Sequence, residues 1–245
     1  MAREIPEQQA PPVQRLRIRY AKRGRLRFTS HRDFSRAFER ALMRTKIPMA
    51  YSSGFNPHPR VSYAGASPTG AASEAEYVEI GLAQVVDPAH VKALLVGALP
   101  VGLDIEEVVE SPGGSLADLM QASSWHIDVP VPPIQAAAAV EVFLKADEVP
   151  VERMTKKGMR SFDARAAVVS MSVESLGEGV RISLVLKHGT PAVRPDDVMS
   201  GLASLGGLQV GAEYGGLPLL TRLTQGPFDE STGAISDPFS SQPAL

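Results

Sequence analysis

The chain has 245 residues, of which 44% are hydrophobic, and a formal net charge of −2 at pH 7. This length accommodates one large domain or two small ones, each with a hydrophobic core. The absence of cysteine excludes disulfides, thiolate metal sites and a cysteine-ligated iron–sulfur cluster within the chain. Because the sequence shows neither a long apolar run nor a secretory signal, we expect a cytoplasmic protein with no membrane partner.

Positive charge is concentrated in one quarter of the sequence. Between Arg15 and Arg60 there are 13 Lys and Arg residues against two acidic residues, Asp33 and Glu39, whereas the rest of the chain holds 12 basic and 25 acidic residues. This segregation predicts a directed electric field that attracts an anionic partner to one face. Arginines that serve solubility alone would be scattered among residues of the opposite sign.

Composition and pattern divide the chain into five segments. We predict a flexible leader over 1–13, a basic domain over 14–111, a connector over 112–123, a second domain over 124–225 and a disordered tail over 226–245. Both domains are expected to follow the order β-α-β-β-α-β, so that the protein is α+β with two tandem ferredoxin-like domains. The second domain carries at least one additional strand.

The first domain opens with a strand and a helix. Residues 15–20 read RLRIRY, in which apolar and basic residues alternate, and this pattern predicts a half-buried strand with arginines on one face. The strand pattern continues past a bend at Gly24. Ser30 is then the predicted N-cap of a helix whose apolar stripe covers 34–42 and which Pro48 ends.

The remaining elements follow from the same patterns. In the first domain, strands are predicted over 61–64, 76–82 and 103–109, with a helix over 87–99. In the second domain, strands are predicted over 125–131, 149–155, 166–173, 180–187, 208–214 and 219–224, with helices over 134–146 and 195–205.

Arginines at four-residue spacing along the first helix suit a phosphate backbone. Guanidinium groups donate planar, bidentate hydrogen bonds to phosphate oxygens, and aromatic side chains in the following loop can stack on unpaired bases. The predicted nucleic-acid-binding residues are Arg27, Arg32, Arg36, Arg40, Arg44, Tyr51, Phe55, Asn56, His58, Arg60, Lys156 and Lys157.

The sequence Asn56-Pro57-His58-Pro59 predicts a rigid loop. Each proline restricts the residue before it and removes one amide donor, while Gly54 permits a positive φ. A rigid loop loses little entropy when it binds a ligand. The sequence leaves open whether the loop is a contact surface or a structural latch.

Two histidines, His31 and His58, are candidates for acid–base catalysis near a phosphodiester. In the structural alternative, His31 helps to cap the helix and His58 packs between prolines. Neither a third histidine nor a carboxylate pair with ligand spacing accompanies them in the sequence, so we expect no metal and no cofactor.

Residues 27–64, RFTSHRDFSRAFERALMRTKIPMAYSSGFNPHPRVSYA, resemble a bacterial family of unknown function whose members are called radical S-adenosylmethionine-linked proteins. The shared pattern is aromatic-x-Ser-His-x-Asp and then Pro-x-Ala-Tyr-Ser-x-Gly-Phe-Asn-Pro-His-Pro, and SEAEYVEIGL at 73–82 is similar to the family's Ser-Glu-x-Glu-Tyr strand. The resemblance implies association with a radical S-adenosylmethionine enzyme, with this chain as the stand-alone form. Because the chain has no cysteine, radical chemistry would belong to that partner.

Three functional hypotheses follow. In the first, the chain is an accessory protein that binds structured RNA, either tRNA or rRNA, and presents it to a radical S-adenosylmethionine enzyme that modifies RNA. In the second, it is a metal-independent ribonuclease or transferase that uses His31 or His58. In the third, it is a protein–protein adaptor for such an enzyme. We expect the first, in which the chain contributes binding and not catalysis.

Overall fold

The computed structural model describes residues 8–155, 158–211 and 216–240. Within these residues the protein is a mixed α+β structure with four α-helices, and none of these helices combines the length and the apolarity needed to cross a bilayer. The chain forms two compact units, one running to Asp118 and joined by the C-terminal segment from Phe239, the other covering Leu119–Pro238. The division lies inside the connector predicted over 112–123.

The first unit has the predicted order of strands and helices. Its elements are β1 (Gln14–Lys22), α1 (His31–Arg44), β2 (Val61–Ala64), β3 (Ala72–Leu82), α2 (Pro88–Val96) and β4 (Leu103–Glu110). The strands form an antiparallel sheet in the order β4-β1-β3-β2. Leu16 lies opposite Ile80, and Ile18 lies opposite Val78. These four side chains are fully buried in one core with residues of α1 and α2, so both helices cover the same face of the sheet.

Helix α1 forms where capping and amphipathicity predict it. The Ser30 hydroxyl accepts a hydrogen bond from the Asp33 amide at 3.2 Å and donates one to the Asp33 carboxylate at 2.6 Å. Phe34 and Phe38 are buried, and the Phe34 ring stacks on Tyr20 with centroids 4.2 Å apart. The N-cap and the apolar stripe of the sequence analysis are confirmed.

The strand predicted beyond Gly24 is wrong, because residues 24–28 form a 3₁₀ turn. The Leu26 amide donates to the Arg23 carbonyl at 3.1 Å, and the Thr29 amide donates to the Leu26 carbonyl at 2.9 Å. The chain must turn between the end of β1 and the cap of α1, and the turn directs Leu26 towards the core and leaves Phe28 exposed. The short apolar pattern of residues 24–28 is therefore compatible with both a strand and a 3₁₀ turn, and it did not distinguish them.

The described residues of the second unit contain a four-stranded sheet and two separate hairpins. Its elements are β5 (Ala122–Val129), α3 (Pro133–Lys145), β6 (Pro150–Thr155), β7 (Gly158–Asp163), β8 (Val168–Leu176), β9 (Gly179–Lys187), α4 (Pro195–Gly206), β10 (Leu219–Gly226), β11 (Phe228–Asp229) and β12 (Ala234–Ile235). The antiparallel sheet has the order β10-β5-β9-β8. The hairpins are β6–β7 and β11–β12, and β6 pairs with β7 and with no other described strand. Of the strand predicted over 208–214, the described residues 208–211 form only an isolated bridge at Gly211.

The described parts of the predicted leader and tail, residues 8–13 and 226–240, contain regular backbone pairing. In the leader, the Val13 amide donates to the Leu82 carbonyl at 2.9 Å, which extends the pairing of β1. In the tail, β11 and β12 form a hairpin whose turn is held by Asp229: its carboxylate accepts from the Ser231 amide at 2.8 Å. Residues 226–240 are therefore not a disordered segment, because the Asp, Ser and Gly that suggest disorder here build a tight turn.

A buried hydrogen-bond chain in the second unit ends at His188. The Trp125 indole donates to the Ser123 hydroxyl at 2.8 Å, and that hydroxyl lies 2.8 Å from His188 Nε2. His188 Nδ1 lies 2.8 Å from the Met120 carbonyl, which only accepts, so the Nδ1 atom carries a proton. Burial lowers the pKa of His188, the positive charge of Arg222 lowers it further, and the Met120 carbonyl opposes both.

This histidine makes the protein less stable in acid. The pKa of His188 is lower in the folded than in the unfolded chain, so stability falls once the pH drops below about 6.5, the ordinary histidine pKa. We expect His188→Gln to shrink the difference between the free energies of unfolding at pH 7.5 and pH 5.5, measured by urea denaturation. The control His126→Gln, on the same sheet, should keep the wild-type difference, and equal differences in all three proteins would contradict the assignment.

Candidate nucleic-acid interface

Arg15 and Arg17 of β1 share one carboxylate of the same unit, that of Glu79. Arg17 is 1% exposed, its Nε atom lies 3.2 Å from Glu79 Oε2, and its Nη2 atom donates to the Gly113 carbonyl at 2.6 Å. Arg15 Nη1 lies 3.1 Å from the other oxygen of Glu79. A buried guanidinium requires such partners because an unpaired buried charge is strongly destabilising.

Further along the chain, Arg19 and Arg23 are also paired. Arg19 Nη2 lies 2.8 Å from Glu107, and Arg23 contacts Glu74, Asp104 and Glu106. The hydrogen bond with Glu74 is the main reason why the pKa of Arg23 rises above its ordinary value. Arg19 and Arg23 therefore stabilise the first unit and offer little net charge to a ligand.

The single basic face expected from β1 and α1 is divided by the sheet. Leu16 and Ile18 face the helices, so the alternating arginines of β1 point to the opposite side. Helix α1 lies on the apolar side and directs its own arginines outward. The sequence pattern could not reveal this division, because it shows the alternation within each element and not which way two elements face.

The outer face of α1 carries three exposed arginines: Arg32, Arg36 and Arg40. They lie opposite the buried Phe34 and Phe38, and none of the three forms an ion pair with a described residue. Four residues of helix rise about 6 Å, so the three charges form a line about 12 Å long. Within the described residues of the predicted site, this line is a continuous positive surface without an ion-pair partner.

The two flanking arginines of the predicted site are partly engaged. The Arg27 guanidinium carbon lies 4.5 Å from the centroid of the Phe28 ring, and Arg44 donates a hydrogen bond to the Ala98 carbonyl. Phe28 is 59% exposed, and it is an aromatic surface residue that is absent from the predicted site because the strand pattern, continued past Gly24, placed it on the apolar face. The Arg27–Phe28 pair thus combines a positive charge with an aromatic ring that can stack on a ligand.

The loop after α1 is a short hairpin with an exposed tip. Tyr51 bridges Pro59, the Ser52 amide donates to the His58 carbonyl at 2.9 Å, and the His58 amide donates to the Ser52 hydroxyl at 3.0 Å. At the tip, Phe55 is 67% exposed and Asn56 is exposed. The loop is therefore latched at its base and open to solvent at its tip.

The two candidate catalytic histidines lack the contacts that orient a general base. The His31 ring stands perpendicular to Tyr63 with centroids 4.7 Å apart, and Tyr63 packs against Phe34 in the core. His58 is exposed. Within 8–155, 158–211 and 216–240, neither imidazole forms a side-chain hydrogen bond, and no cluster of three metal-ligand side chains occurs.

The remaining predicted residues lie elsewhere. Arg60 does not join the α1 arginines, because it lines a cavity with Arg15 and Glu79 on the other side of the sheet. Lys156 and Lys157 lie outside the described residues, between β6 and β7 in the sequence. In that hairpin, Arg153 pairs with Asp197 at 2.5 Å, so this arginine holds β6 to α4.

Comparison with known proteins identifies a family but no activity. Residues 15–195 match the family described as "Uncharacterized protein conserved in bacteria (DUF2344)". No curated protein matches the sequence. Among solved structures, a chain of the "Crystal Structure of a Cbf5-Nop10-Gar1 Complex" matches with 12% identity and a TM-score of 0.45, over 93% of this chain and 57% of that one. The present chain thus spans little more than half of that protein, and a similarity of this size says nothing about function.

Loss of the buried arginine should cost stability while loss of an exposed one should not. Arg17→Met leaves Glu79 without its buried partner, and we expect the free energy of unfolding to fall by about 3 kcal/mol in urea denaturation. Arg36→Met on α1 should change it by less than about 0.5 kcal/mol. Adding Glu79→Gln to Arg17→Met should restore part of the loss, because it removes the stranded charge. Equal stability of the two single variants would refute the structural role of Arg17.

Proposed function

The chain belongs to the bacterial family described as DUF2344, and we propose that it is an accessory RNA-binding protein that works with a radical S-adenosylmethionine enzyme that modifies RNA. The observation that carries the proposal is the line of Arg32, Arg36 and Arg40 on the outer face of α1, which has no carboxylate partner among the described residues. Guanidinium groups in such a line fit successive phosphates of a nucleic-acid backbone.

The exposed loop supports RNA in preference to duplex DNA as the ligand. Phe55 presents most of its ring to solvent and Tyr51 is 38% exposed, so both can stack on unpaired bases. Structured RNAs such as tRNA and rRNA offer such bases in their loops. One backbone hydrogen bond and one to the Ser52 hydroxyl join Ser52 and His58, and they hold the tip in place before the ligand arrives.

We further propose that both units are ferredoxin-like. In the first unit, the order β-α-β-β-α-β and the sheet order β4-β1-β3-β2 support this assignment. In the second unit, β5, α3, β8, β9, α4 and β10 follow the same order once the β6–β7 hairpin is set aside, and the sheet order β10-β5-β9-β8 corresponds strand for strand.

The proposed partner follows from the sequence resemblance and from the chemistry that the chain lacks. A chain without cysteine cannot hold the cysteine-ligated cluster of a radical S-adenosylmethionine enzyme. In this proposal the partner supplies the radical chemistry, and the present chain supplies RNA contacts. The catalytic alternative has no supporting contact around His31 or His58 in the described structure.

Removal of the α1 charges should weaken RNA binding and its salt dependence together. For the triple variant Arg32→Gln, Arg36→Gln, Arg40→Gln, we expect a lower affinity for single-stranded or tRNA-like RNA at about 50 mM salt. The slope of log affinity against log salt should become shallower by about 2, which is 0.7 for each of three lost phosphate contacts. Fluorescence anisotropy over a salt series measures both quantities.

Two variants that each remove one arginine charge test whether RNA binds at the α1 surface. Arg36→Gln should lower RNA affinity severalfold, whereas Arg19→Gln removes the same charge from the opposite side of the sheet and should lower it less. An RNA affinity that does not depend on salt, or an equal loss of RNA affinity in the two variants, would refute the RNA proposal. If RNA does not bind but an enzyme partner co-purifies after nuclease treatment, the protein–protein adaptor is favoured instead.

The exposed ring at the loop tip should contribute to RNA affinity without contributing to stability. Phe55→Ala is expected to weaken binding of unpaired RNA by about 1–3 kcal/mol if the ring stacks on a base. Because Phe55 is mostly exposed, the free energy of unfolding should change by less than about 0.5 kcal/mol. Phe55→Trp serves as the control and should retain binding. If Phe55→Ala binds RNA with unchanged affinity, the loop tip is not part of the RNA interface.

A further inference from the structure

A cavity of about 260 Å³ lies beside the base of the loop, on the side of the first unit's sheet opposite α1. The residues of its wall that matter for binding are Arg15, Ser52, Arg60, Ser62, Glu79 and Gly81. Arg15 is paired with Gly81 across β1 and β3, and Ser62 is paired with Glu79 across β2 and β3. The intervening residue Ile80 is fully buried in the core, so the cavity residues point away from the helices.

The cavity wall has a surplus of hydrogen-bond donors. Arg60 uses only Nε, which donates to the Tyr51 carbonyl at 3.1 Å, and Arg15 uses only Nη1, which contacts Glu79. The other guanidinium N–H groups and the Ser62 hydroxyl have no hydrogen-bond partner in the described parts of the chain. The Ser52 hydroxyl accepts from the His58 amide, so its own proton is available to a ligand.

The only carboxylate in the wall is already neutralised. Glu79 accepts hydrogen bonds from Arg15, from Arg17 at 3.2 Å and from the Ser111 hydroxyl at 2.8 Å. Since the buried Arg17 balances the charge of Glu79, the charges of Arg15 and Arg60 remain uncompensated at the cavity. A dianion with several oxygen acceptors complements this arrangement.

The geometry of the cavity is built into the backbone. The Gly81 amide donates to the Arg60 carbonyl at 2.8 Å, and the Arg60 amide donates to the Ala50 carbonyl at 2.8 Å. A Cβ atom on Gly81 would lie 3.0 Å from the Pro12 side chain and 3.2 Å from the Arg60 side chain, so glycine allows both residues to close over β3. The donors are therefore positioned before any ligand binds.

We propose that this cavity binds a phosphomonoester group. The three terminal oxygens and double charge of a phosphomonoester match two guanidinium groups and two hydroxyls better than a phosphodiester does, which has two terminal oxygens and one charge. At about 30 Å³ per water molecule, the volume accommodates a phosphate and an attached pentose, but it is smaller than the usual pocket for a drug-sized ligand. The phosphate comes either from a free mononucleotide or from the end of an RNA chain.

The first arm of the test uses adenosine 5′-monophosphate and adenosine in isothermal titration calorimetry. We expect the monophosphate to bind at least tenfold more tightly than the nucleoside. Arg60→Gln and Arg15→Gln should each weaken the monophosphate at least tenfold, because each removes charge-assisted hydrogen bonds. Arg25→Gln removes one exposed charge elsewhere in the unit and should change the affinity less than twofold. Thermal melting confirms that each variant is folded, and Arg15→Gln provides the test if Arg60→Gln unfolds.

The second arm compares one RNA oligonucleotide with a 5′-phosphate and with a 5′-hydroxyl. Tighter binding of the phosphorylated oligonucleotide, lost in Arg60→Gln, without binding of the mononucleotide assigns the site to an RNA end. If neither phosphorylated ligand binds more tightly than its hydroxyl counterpart, or if Arg25→Gln weakens binding as much as Arg60→Gln does, the proposal is overturned. Affinity for the 5′-hydroxyl oligonucleotide reports on the α1 surface alone, so failure of the cavity and failure of RNA binding are distinguishable.

Discussion

The buried ion pair between Arg17 and Glu79 determines the electrostatics of the first unit. The register of β1 and β3 places these residues directly opposite each other, and Arg15 and Ser111 complete the hydrogen bonds of Glu79. Burial of either charge without the other would cost several kcal/mol, so the two must be present together. Because this cluster absorbs positive charge on one side of the sheet, the arginines that remain for a ligand include those of α1 and those at the edge of the cavity.

The basic and acidic residues that are separated along the sequence form ion pairs in the folded protein. The basic segment ends at Arg60, but its strand arginines find partners in β3 and β4, where Arg15 and Glu79 are 64 positions apart and Arg19 and Glu107 are 88 apart. A count along the sequence therefore overstates the electric field of this unit. Helix α1 escapes the neutralisation because its arginines point to solvent while its other face packs on the sheet, so no acidic strand lies opposite them.

Local signals in the sequence predicted local structure, but they could not predict which distant residues pair across the sheet. The Ser30 cap and the buried Phe34 followed from residues a few positions apart. The direction of Arg60 did not, because it depends on the register of β2 against β3. The ordered tail was missed for a related reason: Asp229 and its neighbours have the composition of a disordered segment, but that composition also suits a tight turn.

The prolines of the loop stiffen a hairpin whose base and tip both carry proposed ligand contacts. At the base, Arg60 is held against the Tyr51 carbonyl on the cavity side of the sheet, while Phe55 at the tip faces solvent. A flexible connection would have to lose backbone entropy of about 1–2 kcal/mol per residue for either end to bind a ligand. Pro57 and Pro59 remove much of that freedom in the unfolded and unbound chain alike. A stiff hairpin can thus present a charged base and an aromatic tip at once, without one weakening the other.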